Sequence, residues 1–199
     1  MKPTTKTSLW VSAIIVAAVA IDQVIKLYIR THFALGESYQ VTPWFYLCFV
    51  ENDGMAFGIE WFSKFALTFF RIAAVGVLGW YIHKIILSLT AEGGPTAQRS
   101  FSDSGHSARR SYLVWVALVT AGAIGNIIDC VCYGKLFGYA GWFYGKVVDM
   151  FYFPLITNRA GECIFFRPVF NFADSCITVA VIVIILFYRK ELNQSLEKK

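Results

Sequence analysis

The chain has 199 residues, of which 57% are hydrophobic and 16% are charged, and its formal net charge is +5. Since an average soluble protein has roughly 25% charged residues, this composition excludes a disordered chain and argues against a water-soluble globule. An integral membrane protein is the first hypothesis. No run of Lys and Arg exceeds two residues, so we expect no basic stripe for a phosphate backbone and no nucleic-acid partner.

Four apolar stretches each approach the roughly 20 residues that an α-helix needs to cross the hydrocarbon core of a bilayer. We predict a mainly α, polytopic membrane protein that forms a single domain over residues 1–199. The predicted transmembrane helices cover residues 10–29, 65–89, 112–131 and 170–188. A Gly- and Ser-rich segment over residues 90–111 predicts a cytoplasmic loop. The β-prone residues 41–50 predict a short strand or hairpin, the β-containing element outside the membrane.

The first apolar stretch also has features of a secretory signal peptide. Lys2 and Lys6 precede an apolar run, and residues 18–20 (Ala-Val-Ala) mimic a cleavage site. The apolar run continues beyond this point to Leu27. We therefore expect a retained membrane anchor.

The distribution of Lys and Arg predicts the orientation. Ten lie on the side that holds both termini and the loop over residues 90–111, and six flank or lie in the other two loops. The positive-inside rule therefore places both termini in the cytoplasm. The two outer loops carry aromatic clusters at 44–46, 142–144 and 151–153, which are typical of segments that lie at the membrane interface.

Polar side chains in or beside the apolar stretches are costly there and indicate function. Asp22 and Lys26 are four residues apart, so they share a helix face and can form an ion pair. The alternative is that this pair only anchors the helix end. Residues 51–58 (Glu-Asn-Asp-Gly-Met-Ala-Phe-Gly) have the composition of a turn.

Three carboxylates are predicted to converge at one membrane depth. The third stretch ends with Asn126 and Asp129, the fourth opens with Asn171 and Asp174, and Asp149 lies in the loop between them. Two carboxylates that share a site are expected to hold one proton. Such a pair can deprotonate a water molecule and protonate a carbonyl oxygen, as in aspartic peptidases. The spacing does not select two of the three.

Other interpretations remain open at this point. The carboxylates can instead cap helices or pair with Arg71, Arg159 or Arg167. A small transporter or channel subunit would use them to relay protons, and a non-enzymatic scaffold would need no chemistry. The sequence contains no HExxH, P-loop, GxGxxG or CxxC motif. We interpret the five Cys residues as small apolar packing residues.

Five short motifs together resemble bacterial lipoprotein signal peptidase (signal peptidase II). They occur in the order of that family and cover residues 22 to 174 of the chain. The motifs are Asp22-Gln23-x-x-Lys26, Asn52-x-Gly54-x-Ala56-Phe57, Gly122-Ala123-x-Gly125-Asn126-x-x-Asp129, Val147-x-Asp149 and Val169-Phe170-Asn171-x-Ala173-Asp174.

The resemblance implies an aspartic endopeptidase that removes signal peptides from prolipoproteins just before the lipid-modified cysteine. It implies Asp149 and Asp174 as the catalytic dyad. Supporting or substrate-binding positions are implied for Asp22, Lys26, Asn52, Gly54, Asn126, Asp129 and Asn171. The family uses no metal or organic cofactor. The implied partners are lipid-modified prolipoproteins, membrane lipids and globomycin-type inhibitors. We expect a monomer in the bacterial cytoplasmic (inner) membrane, with the active site near the extracytoplasmic face.

The chain departs from the family pattern at two places. Cys130 stands where the family usually has an Arg directly after the Asn-x-x-Asp motif, and we expect Arg159 or Arg167 to replace that Arg. The interval between Asp129 and Asp149 is also longer than the family pattern predicts. The extra segment lies around residues 133–144 and is rich in Gly and aromatic residues.

Overall fold

The computed structural model of the chain describes residues 3–53, 64–91, 103–157, 163–165 and 168–197. Its helices are α1 (Pro3–His32), α2 (Lys64–Ala91), α3 (Asp103–Ile128), α4 (Gly134–Leu136), α5 (Phe172–Phe187) and α6 (Arg189–Glu197), with a π-helical turn over Asp129–Tyr133 between α3 and α4. Its strands are β1 (Ser38–Thr42), β2 (Phe45–Asn52), β3 (Val147–Tyr152), β4 (Ile156–Thr157) and β5 (Cys163–Phe165).

Three helical segments in the described part of the chain are long and apolar enough to cross a membrane, namely Thr5–His32, Phe65–Leu89 and Ser107–Leu136. Helix α5 has 16 residues and is followed by α6 after a 91° bend, and the pair makes a fourth candidate. The bend lies where the apolar sequence of α5 gives way to Arg189 and Lys190, which are expensive to bury in hydrocarbon. The predicted mainly α, polytopic fold with a small β element is confirmed.

The helices are longer than several of the predicted spans. Hydropathy marks only the part of a helix that lies in hydrocarbon, whereas backbone hydrogen bonding continues into the polar ends. Helix α2 reaches Ala91 and α3 begins at Asp103, so the loop predicted over 90–111 is shorter at both ends than expected. Residues 92–102 of that loop lie outside the described residues.

Helix α3 is the centre of the bundle and packs against α1, α2 and α5. The buried core near one end of the bundle combines residues of α1, α2, α3 and α5, including Val11, Ile82, Leu113, Ala117 and Ile184. Many large apolar side chains on the outer faces are exposed, among them Phe70, Trp80 and Phe187. Lipid, rather than protein, is the natural solvent for such faces.

The contact between α3 and α5 depends on a glycine. A Cβ atom at Gly122 would overlap the backbone oxygen of Ala173 and would lie 2.7 Å from Cγ1 of Ile177. Backbone cannot move aside as a flexible side chain does, so the two helices must approach each other through Gly122.

We expect Gly122→Ala to lower the free energy of unfolding by about 1–3 kcal/mol, the usual cost of overpacking a close contact. Thermal unfolding in detergent measures it. Gly76→Ala is the matched control, because nothing lies within 4 Å of a Cβ at that exposed helical glycine. Equal unfolding temperatures for the two variants would contradict the close helix contact.

Strands β1, β2 and β3 form an antiparallel sheet in that order. The strand or hairpin predicted over residues 41–50 is a hairpin, which extends from Ser38 to Asn52. The interpretation of Asp149 as a loop residue is wrong, because Asp149 lies in β3 opposite Val50 of β2. Strand β3 has only six residues, and its pairing with β2 joins segments about a hundred residues apart, which no local pattern reveals.

Candidate active site

The first turn of α5 holds Asp174 through a capping box. Asn171 is the N-cap residue, and its side-chain oxygen accepts a hydrogen bond from the backbone N–H of Asp174 at 2.8 Å. The Asp174 carboxylate in turn accepts one from the backbone N–H of Asn171 at 3.4 Å. This reciprocal arrangement satisfies two backbone donors at the start of the helix and fixes the direction of Asp174.

Asp149 approaches the same cap from the sheet. The Asn171 side-chain amide donates to Oδ1 of Asp149 at 2.7 Å, and the amide of Asn52 donates to Oδ2 at 3.0 Å. Asn171 therefore bridges Asp149 and Asp174. Burial raises the pKa of Asp149 to about 6 and the nearby charge of Asp174 acts in the same direction, while the hydrogen bonds from Asn52 and Asn171 oppose the rise.

Asn126 of α3 connects this pair to a buried lysine. Its side-chain oxygen accepts hydrogen bonds from Nζ of Lys26 at 2.9 Å and from the Asn171 amide at 3.1 Å. Its own amide donates to Oδ1 of Asp174 at 2.8 Å. A lysine ammonium can only donate, so Lys26 determines which end of the Asn126 amide faces Asp174.

Lys26 is fully buried and forms two ion pairs. Its Nζ lies 2.9 Å from Oδ2 of Asp22 and 2.7 Å from Oδ2 of Asp129. The pair with Asp22 is the one that the helical spacing predicts. Asp22 also accepts a hydrogen bond from the backbone N–H of Ala173 at 2.9 Å, which stabilises the start of α5.

Asp129 has its carboxylate oxygens occupied by protein donors. Besides Lys26, it accepts hydrogen bonds from the Gln23 amide at 3.0 Å and from the backbone N–H of Val148 at 3.3 Å. This last bond fixes β3 one residue before Asp149. Among the described residues, Asp129 forms an ion pair and Asp149 and Asp174 form none. The structure thus distinguishes the three carboxylates that spacing leaves equivalent.

A glycine and three arginines have predicted roles, and the structure describes only one of these four residues, Arg71. Gly54, Arg159 and Arg167 lie outside the described residues, so their predicted roles stay predictions. Arg71 does not pair with a carboxylate among the described side chains but donates to Sγ of Cys130 at 2.9 Å. The charge of Asp129 is instead compensated by Lys26.

The sequence analysis assigned no role to two members of this hydrogen-bond network, Gln23 and Tyr133. Gln23 bonds to both Asp22 and Asp129, and the hydroxyl of Tyr133 donates to Oε1 of Gln23 at 3.1 Å. A glutamine inside an apolar span was a usable signal, because its amide also requires partners there. In the described part of the chain, no group of three or more His, Cys, Asp and Glu side chains is arranged to hold a metal ion.

Comparison with known proteins identifies the family. The family model described as "Signal peptidase (SPase) II" matches residues 14–189. The chain belongs to the signal peptidase II family. It is therefore a protease, and the transporter and scaffold interpretations are set aside.

Members of the signal peptidase II family from several bacteria are similar over most of this chain. A lipoprotein signal peptidase of Porphyromonas gingivalis is 39% identical, with 95% of this chain and 87% of the relative aligned. One of Amoebophilus asiaticus is 34% identical, with 91% and 78% aligned. A solved structure of a bacterial membrane enzyme is 28% identical with a TM-score of 0.60, and the match covers 95% of this chain and 93% of that one. These matches agree with a multi-pass membrane protein.

Proposed function

We propose that this protease removes the signal peptide from prolipoproteins by cleaving just before the diacylglyceryl-modified cysteine, with Asp149 and Asp174 activating water. The observation that carries the proposal is the bridge that Asn171 makes between the two carboxyl groups. The names of the relatives, lipoprotein signal peptidases, support the choice of substrate.

The pair can perform both proton transfers of peptide hydrolysis. With one proton shared, the charged carboxylate takes a proton from water as the water oxygen adds to the scissile carbonyl carbon. The neutral carboxylic acid donates its proton to the carbonyl oxygen, which gives a tetrahedral diol. The newly protonated carboxyl group then donates to the leaving nitrogen while its partner accepts a proton from the diol. The C–N bond breaks and the pair returns to its starting state.

The location of the pair suits a lipid-anchored substrate. Asp174 lies in the first turn of α5, beside Asn126 in the last turn of α3, so the site lies near one end of the bundle. The diacylglyceryl chains of a prolipoprotein remain in the bilayer. We therefore expect its scissile bond to lie at the depth of this end of the bundle. From the Lys and Arg distribution we propose that this end faces outward from the bacterial inner membrane and that both termini are cytoplasmic.

Incubation of the purified protein with a diacylglyceryl-modified prolipoprotein tests the function. We expect release of the signal peptide, and we expect a globomycin-type inhibitor to block it. The matched control is the same prolipoprotein with Ser in place of the modified cysteine, which cannot carry the lipid and should not be cleaved. Failure to cleave the lipidated substrate would overturn the proposed function, and equal cleavage of the control would overturn lipid recognition.

The pKa of Asp149 predicts the pH dependence of this reaction. The active pair holds one proton, and as pH rises through about 6 that proton is lost and the acid that protonates the carbonyl oxygen disappears. We therefore expect kcat/KM, which reports the free enzyme, to fall as pH rises through this region. Asn52→Leu removes a hydrogen bond that favours the charged form of Asp149, so its falling limb should lie at higher pH. A profile that stays flat from about pH 5 to pH 8 would contradict the shared-proton mechanism.

A further inference from the structure

An aromatic and ionic cluster centred on Arg30 lies close to the proposed dyad. Arg30, in the last turn of α1, donates to Oε1 of Glu51 at 2.6 Å, and both side chains are nearly buried. The guanidinium carbon of Arg30 also lies 4.1 Å from the ring centre of Phe137 and 5.0 Å from that of Tyr139. Both rings belong to the extra segment over residues 133–144, which nothing in the proposed mechanism uses.

The cluster holds the adjacent ends of two strands. Glu51 is the residue before Asn52 in β2, and Nζ of Lys146, which immediately precedes β3, lies 3.4 Å from Oε2 of Glu51. The backbone N–H of Lys146 donates to the hydroxyl of Tyr139 at 2.9 Å. Arg30 and the extra segment thus contact the end of β2 and the residue before β3, where these two paired strands meet.

Asn52 is the last residue of β2 and is exposed, so the position of its amide depends on how firmly this strand end is held. Strand ends separate easily unless side chains hold them. Asn52 pairs with Val147 across the sheet, two residues before Asp149, and its side-chain amide donates to Oδ2 of Asp149.

We propose that Arg30, through its ion pair with Glu51 and its stacking on the extra segment, is a positioning residue that keeps Asn52 within hydrogen-bond distance of Asp149. The inference rests on the proposed role of Asp149. Arginine suits this task because its planar guanidinium can stack on rings and bind a carboxylate at the same time. A lysine can pair with Glu51 but does not offer a planar group to Phe137.

The test compares kcat and KM for cleavage of lipidated prolipoprotein. We expect Arg30→Met to lower kcat by about tenfold with little change in KM, because the loss affects the proton chemistry rather than substrate binding. Arg30→Lys should recover part of kcat. Tyr139→Phe keeps the ring over Arg30 but removes the acceptor for Lys146, so a loss of about threefold is expected. Arg109→Met is the matched control, since Arg109 contacts Gln194 at the far end of the bundle, and its kcat should be unchanged.

The pH profile separates positioning from general loss of structure. Among the described residues, the charged groups that act on Asp149 are Asp174 from α5 and Lys26 from α1, and the amides of Asn52 and Asn171 are its hydrogen-bond donors. Weaker hydrogen bonding from Asn52 raises the pKa of Asp149, so the falling limb of kcat/KM should move to higher pH in Arg30→Met and in Tyr139→Phe. Tyr139→Phe changes no charge at neutral pH, so its shift cannot come from a lost cation.

The outcomes are distinguishable from those of the dyad test. If Asp149→Asn cleaves normally, the proposed dyad fails whatever Arg30 does. The positioning role of Arg30 is overturned if Asp149→Asn is inactive while Arg30→Met and Tyr139→Phe keep the wild-type kcat and the wild-type pH at which kcat/KM falls. If Arg30→Met does not fold, Tyr139→Phe and Phe137→Leu decide between the same two results.

Discussion

Asp149→Asn and Asp174→Asn are each expected to lower the rate of prolipoprotein cleavage by at least ~10²-fold, the low end of general acid–base catalysis. Asparagine has nearly the shape of aspartate and can keep accepting the hydrogen bond from Asn171 or Asn126, but it cannot exchange a proton with water or substrate. The fold and the binding of lipidated substrate should survive. Single-turnover cleavage and an unfolding curve in detergent measure the two properties.

The double variant and Asp129→Asn are the controls for this prediction. Residues that act as a unit are not additive, so the double variant should be little worse than either single one. Asp129 is engaged by Lys26, Gln23 and the backbone of Val148, so Asp129→Asn should cause a smaller and partly structural defect. Loss of turnover in Asp129→Asn together with normal cleavage by Asp149→Asn would show that the dyad is wrongly assigned.

Lys26→Met is expected to have the largest effect on stability. Lys26 is completely buried between Asp22 and Asp129, and its removal leaves two carboxylates without a cation. Breaking a buried ion pair by removing one partner typically costs about 3–5 kcal/mol, a large part of the 5–15 kcal/mol that stabilises an ordinary domain. Thermal unfolding in detergent should show a much lower midpoint, whereas Lys135→Met, at an exposed position, should not.

A compensated variant separates the two roles of Lys26. Lys26→Met combined with Asp22→Asn and Asp129→Asn removes the cation and both anions, so most of the lost stability should return. Activity should stay low, because the Asn126 oxygen has lost its strongest donor and the amide is free to turn away from Asp174. Full activity in this triple variant would show that Lys26 only neutralises charge and does not orient Asn126.

The sequence by itself determined those features that depend on local chemistry. Apolar length predicts the membrane helices, because a helix satisfies its own backbone in lipid. The 3.6-residue period predicts the pairing of Asp22 with Lys26, and the β-prone residues 41–50 predict a strand or hairpin. The Asn and Asp pairs at the ends of two spans also predict where the candidate site lies. Each of these patterns can be recognised within a single segment of the chain.

Only the tertiary structure decided which carboxylates lie together. Asp129 is neutralised by Lys26, about a hundred residues earlier in the chain, and Asp149 meets Asp174 because β3 pairs with β2 and Asn171 links the strand to α5. These contacts depend on which helices become neighbours, a long-range packing result that no local period encodes. Spacing therefore left three carboxylates equivalent, whereas packing placed a buried cation beside one and a shared asparagine between the other two.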